Sequence, residues 1–164
     1  METGRDFLRE QVSQAVVQHQ VLLDALDTQS ERAHDSRLRD LCARHLPHMR
    51  EHQRALESYR DTLGEAGAVK EALGSFLGKA REALGSLAGN DFERVTGDLA
   101  AIQQTQDAFA LFAAVGDTLG ESRLADIGRA GARDHQAMQR DFFALAQTMF
   151  TEHARGEARR EAVD

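Results

Sequence analysis

Apolar residues recur at spacings of three and four along four long stretches of the chain, and each stretch is interrupted by polar residues near its middle. The first stripe, Leu8, Val12, Ala15, Val16, Leu22, Leu23 and Leu26, predicts a helix over about residues 5–29 whose inner face carries one polar residue, His19. The polar run from Thr28 to Ser36 reads as a short connection, with Ser36 placed to cap the second helix. The second stripe is Leu38, Leu41, Cys42, His45, Met49, His52, Leu56, Tyr59 and Leu63, with His48 flanking it and Gly64 at the end as a C-terminal cap. The third helix opens at Asn90 or Asp91 and turns Val95, Leu99, Ile102, Phe109, Phe112, Ala113 and Leu119 inward. Gln103 and Gln106 interrupt it, and Gly120 stops it. The fourth spans about residues 121–152, with Leu124, Ile127, Gly131, Met138, Phe142, Leu145 and Met149 inward and Asp134 and His135 as interruptions.

Residues 65–90 have a different texture. Glycines stand at 67, 74, 78, 85 and 89, and Glu71-Ala-Leu-Gly-Ser is repeated as Glu82-Ala-Leu-Gly-Ser. This stretch predicts one or two short helices that carry the chain back along the outside of a bundle, so that the third helix runs parallel to the second. The fold class expected is all-α: a single four-helix-bundle domain over 1–164, with a core at about 5–150 and a solvated tail at 153–164.

Predicted helix midpoints fall at about residues 17, 50, 105 and 136, and the polar interruptions lie within about a turn of them. Side-by-side packing would gather His19, the His45/His48/His52 group, Gln106, Asp134 and His135 in one central layer, where helix bundles place metals. In a helix, positions 45, 48 and 52 share a face, so these three imidazoles project together. Buried polar groups need partners, and a metal ion would satisfy several imidazoles at once. Those seven residues are the candidate ligands, and the donor set suits iron, zinc, copper or manganese. The competing reading is a metal-free hydrogen-bonded network with waters. Pro47 removes one helix hydrogen bond among these histidines, which predicts a kink that either re-aims them or bends the helix harmlessly. His34 and His153 are expected in solvent.

Composition narrows the function classes. Many Ala, Leu, Glu, Gln and Arg residues and a single proline favour helix. A formal charge of -7 without a dense basic face excludes a nucleic-acid surface. No apolar run is long enough for a membrane span, and the N-terminus lacks a signal-peptide core, so a cytoplasmic location is expected. Cys42, alone and on an inward stripe, reads as a buried structural thiol rather than a nucleophile. No organic cofactor is expected; bis-histidine haem ligation is the weaker alternative, since no Cys-x-x-Cys-His is present.

The order of long helix, short loop, long helix, crossover and two long helices resembles the ferritin-like superfamily, and more narrowly the YciE/YciF-like group of small bacterial stress-associated proteins. Three stretches carry the likeness: Gln18 to Leu26, Leu41 to Glu57, and the Leu119-Gly120 pair. The resemblance implies a ferritin-like bundle with a long crossover after the second helix, and a role in metal handling or oxidative stress. Ferritin-like di-iron sites use Glu residues and Glu-x-x-His pairs, which the inward stripes here lack. A single His-rich metal therefore fits better than a carboxylate-rich iron pair. The alternative is a metal-free bundle serving as a structural or protein-interaction module, self-associating as a homodimer or larger homo-oligomer.

Overall fold

The computed structural model describes residues 4–64 and 89–161, with side chains placed as far as residue 156. They form four helices, α1 (Gly4–Arg32), α2 (Ser36–Thr62), α3 (Asp91–Leu119) and α4 (Ser122–Glu161), and no strand among the described residues. None of these helices is long and apolar enough to cross a membrane. The crossover expected over 65–90 lies outside the described residues except for its last two.

Caps fix the helix ends. The N-cap of α2 is Asp35 rather than Ser36: its carboxylate accepts from the Arg37 backbone N–H at 2.8 Å, and the Arg37 guanidinium reaches Glu152 of α4 at 2.9 Å. Aspartate accepts at least as well as serine and adds a charge that Arg37 can hold. Asn90 caps α3 by accepting from Glu93 N–H at 3.0 Å. Gly120 closes α3 at φ 71°, and Gly64 follows α2 at φ 94°, both left-handed conformations that favour glycine. The fourth helix continues to Glu161, past the expected end near 152. Its Arg-, Glu- and Ala-rich run prolongs a formed helix without a new nucleation cost, and residues 152–156 remain exposed. Helix α2 runs unbroken through Pro47, where Ala43, whose carbonyl loses its donor, is exposed and open to water.

Contacts between helices give the topology. The side chain of Asp91 accepts from Asp35 N–H, which puts the starts of α2 and α3 at one end, and Tyr59 near the end of α2 meets Glu121 at the other. Hence α2 and α3 run parallel on one diagonal. His45 and His52 of α2 bond to Asp141 and Asp134 of α4, so these two helices are antiparallel. The tightest pair is α3 with α4. A Cβ at Gly116 would strike the Ala125 backbone, one at Gly128 the Ala113 backbone, and one at Gly131 the Phe109 ring. Close approach requires glycine at each. Leu119, assigned inward by periodicity, is 60% exposed, because the last turn of α3 meets α4 through Gly116 on another face.

The core divides in two along the bundle axis. One apolar cluster includes Leu22, Leu26, Leu38, Cys42, Met49, Ile102, Met138 and Phe142. The other includes Val12, Val16, Leu56, Tyr59, Phe109, Phe112 and Leu124. Each buried Leu or Phe stabilises the fold by roughly 1.5–3 kcal/mol. His19, His52, Gln53, Thr105 and His135, all buried, lie between the clusters.

Candidate metal centre

Three imidazoles converge on one aromatic ring in this middle layer. The Phe109 ring centroid lies 4.9 Å from that of His135 and 5.6 Å from those of His19 and His52. His19 and His135 stand 5.2 Å apart, and His52 and His135 5.9 Å apart. They come from three different helices. His19 belongs to the α1–α2 hairpin and His135 to the α3–α4 hairpin, so the layer lies on the seam between the hairpins.

Neighbours fix the tautomers of two of these rings. His19 Nδ1 is 2.8 Å from Gln53 Oε1, while Gln53 Nε2 donates to Val16 O at 3.2 Å and to Glu57 at 2.8 Å. With the amide so oriented, Gln53 Oε1 can only accept, and His19 must carry its proton on Nδ1. His135 Nδ1 is 2.8 Å from the Gly131 carbonyl, which likewise can only accept. Both Nε2 atoms therefore present bare lone pairs, and both are buried with no hydrogen-bond partner among the described residues. Burial lowers the pKa of His19 to about 4 against the hydrogen bond it donates to Gln53, and that of His135 to about 3 with help from the nearby His19. Both rings are neutral at pH 7.

Gln106 completes the pattern. The α3–α4 register pairs Gln103 with Gln139 and Ala113 with Gly128, which brings Gln106 level with His135. Its Oε1 is also buried without a partner among the described residues. His52 Nε2 bonds Asp134 Oδ2 at 2.9 Å, and Arg133 holds the other carboxylate oxygen at 3.1 Å. Partial burial raises the Asp134 pKa, but the bonds from His52 and Arg133 outweigh it and leave the carboxyl below its ordinary value.

The seven residues expected to form the site are thus separated. His19, Gln106 and His135 hold bare donor atoms in the layer, while His52 and Asp134 form a bonded pair at its α2–α4 edge. His45 lies two turns along α2, its Nε2 on Asp141 Oδ2 at 2.9 Å. His48 points to solvent with 62% of its side chain exposed, because position 48 is turned about 65° from the centre of the inward face that carries 45, 49 and 52. The chain's Glu-x-x-His spacing, Glu31 to His34, falls at the exposed end of α1. Among the described residues no three His, Cys, Asp or Glu side chains stand together as a metal-binding group. The bare set is two imidazoles and an amide.

The chain matches no known protein family, no curated protein and no solved structure.

A second buried polar group lies in the cluster beyond the layer. Asp98 is fully buried and accepts from Gln29 Nε2 at 3.0 Å through Oδ1, while Oδ2 has no partner among the described residues. Cys42 Sγ lies 3.9 Å from Gln29 Oε1. Burial pushes Asp98 up to about 7, despite the Gln29 bond, and pushes the Cys42 thiol up to about 12, with Asp98 adding to the effect. The thiol is therefore unreactive at neutral pH. Gln53 occupies the inward stripe of α2 between Met49 and Leu56, and Asp98 that of α3 between Val95 and Ile102. That spacing was the available signal for both.

Proposed function

We propose that this chain is a ferritin-like four-helix-bundle protein that binds one metal ion on the seam between its two hairpins, with His19 Nε2, His135 Nε2 and Gln106 Oε1 as the protein's donor atoms. The observation that carries the reading is chemical. Three buried groups in one layer offer lone pairs, and none of their described neighbours offers a proton. A cation satisfies several acceptors together, while the Nδ1–H bonds to Gln53 and Gly131 set each ring's tautomer as outer partners of metal-bound histidines do. The parallel pairing of α2 and α3 agrees with the long crossover that a ferritin-like bundle requires. A carboxylate-bridged iron pair has no support, since Asp134 is already bonded twice and, among the described residues, no glutamate is buried in the layer. Metal handling or protection from oxidative stress is the role that the family resemblance adds.

A metal-free interaction bundle is the second reading. It is favoured by the bonds that already satisfy His45, His52 and Asp134, on Asp141, Asp134 and Arg133. A water donating to both ring nitrogens would then fill the layer.

Elemental analysis of tag-free protein separates the two. Near-stoichiometric metal that falls below about a tenth per chain in His19→Gln/His135→Gln, with helical content unchanged, supports the centre. Protein that neither retains nor takes up iron, zinc, copper or manganese is the metal-free bundle.

A further inference from the structure

We infer that the ion this seam takes is univalent copper, Cu(I), held by the bare ring nitrogens of His19 and His135 with a methionine thioether from the apolar layer beside them. The inference rests on the metal reading above and concerns which ion that centre selects.

Charge is the first argument. Every bare donor in the layer is neutral, and the carboxylates nearest to it are engaged: Asp134 by His52 and Arg133, Glu57 by Gln53, and Asp107 by Gln103. A cation placed there finds no carboxylate oxygen free to enter its coordination shell. Because the cost of taking an ion out of water grows with the square of its charge, a univalent ion pays roughly a quarter of the penalty of a divalent one. The layer also lies between two apolar clusters, which disfavours hard ions that retain several waters.

Ligand softness is the second argument, and it comes from different residues. Met49 and Met138 are both fully buried. Met138 follows His135 by three positions on α4, and Met49 precedes His52 by three on α2, so each lies one turn from the layer on the histidine's own helix face. Both belong to the cluster that borders the layer. Thioethers select Cu(I), and imidazole suits copper as well as zinc. As a closed-shell ion content with two or three ligands, Cu(I) can be held by the two imidazoles and a thioether, with the harder amide oxygen of Gln106 as its weakest contact.

The test is an anaerobic titration of tag-free protein with Cu(I) buffered by bicinchoninate, beside parallel titrations with Zn²⁺ and Mn²⁺. One Cu(I) per chain should bind at least about tenfold more tightly than either divalent ion. His19→Gln/His135→Gln should weaken Cu(I) binding by about a hundredfold. Met49→Leu/Met138→Leu conserves volume and should keep the helical circular dichroism, yet weaken Cu(I) about tenfold while leaving Zn²⁺ binding unchanged. The surface change His34→Ala should alter nothing. Tighter binding of Zn²⁺ or Mn²⁺, or Cu(I) affinity unchanged in the methionine variant, would overturn this inference while leaving the metal centre standing. Cu(I) binding that survives the histidine changes but is lost in Cys42→Ala would overturn it by moving the ion to the thiol. Failure to bind any of the three ions would overturn it, and failure to take up iron as well would overturn the reading on which it rests.

Discussion

Asp98 has no exposed surface, and only one of its carboxylate oxygens is held, by Gln29. Its folded pKa of about 7 lies above the ordinary 3.8, so between those values the folded chain keeps a proton that the unfolded chain has released. Stability from this group therefore falls as pH rises from about 4 to about 7, by up to roughly 4 kcal/mol. His19 and His135 act in the opposite direction. Their folded values of about 4 and about 3 lie below 6.5, so the unfolded chain takes up protons first and stability is lost as pH falls below 6.5. Thermal melts with chelator present, from pH 4 to 8, should show Asp98→Asn gaining most over the parent protein above pH 7 and the gap closing near pH 4. A gap that stays constant across the range would show that the folded chain carries no ionisation cost at Asp98. His135→Leu should flatten the acid limb in the same melts. The central layer was legible in the sequence because His19, His52 and His135 each break an apolar stripe near a helix midpoint. Asp98 and Gln53 break stripes too, but each sits beside a residue that fills the slot in the pattern, Leu99 and His52, which hides it. Periodicity misplaces His48 because i, i+3 spacing alone does not say which of three neighbours faces the core.

Helix α3 and helix α4 meet through glycine, and here two physical effects of one substitution compete. Alanine favours a helix interior over glycine by about 1 kcal/mol, yet at Gly128 its methyl would overlap the backbone of Ala113 and Phe109. Overpacking against backbone costs about 1–3 kcal/mol, and with the Cβ set directly against a backbone nitrogen the upper part of that range applies, so Gly128→Ala should lower the unfolding free energy by up to about 2 kcal/mol. Gly156→Ala, with nothing within 4 Å of its added Cβ, should raise it by about 0.5–1 kcal/mol. Urea denaturation of the pair measures both effects. If both variants stabilise, the two helices can separate at no cost and their close packing contributes little. At this scale the sequence is a good guide, since stripes at spacings of three and four locate four helices. Both glycine stops, Gly64 and Gly120, are legible in it. The end of α4 is not, because a solvated helix extended from a packed one shows no apolar period. Nor is the outward turn of Leu119, because periodicity does not reveal which face a neighbouring helix will claim.

The bundle as a whole is two antiparallel hairpins, and its polar layer lies where they meet. Within each hairpin, short connections and tight contacts hold the helices. Between the hairpins the layer replaces part of the apolar contact with two bonded pairs, His19–Gln53 and His52–Asp134, of which only the second crosses the seam. An ion held by His19 of α1 and His135 of α4 would add a second crossing link on the other diagonal of the bundle. Binding to the folded chain alone stabilises it by about 2.7 kcal/mol when free ion is a hundred times the dissociation constant. For a domain of this size that corresponds to a rise in Tm of roughly 5–10 °C. The link crosses the seam, so amide hydrogen exchange should slow in both hairpins together and not in the ligand-bearing turns alone. His19→Gln, which leaves α4 and His135 intact, should abolish the rise in Tm and the slowing in both hairpins. A rise that persists in His19→Gln would place the ion away from the seam. Slowing confined to α3 and α4 would show that the ion is held within one hairpin and does not join the two.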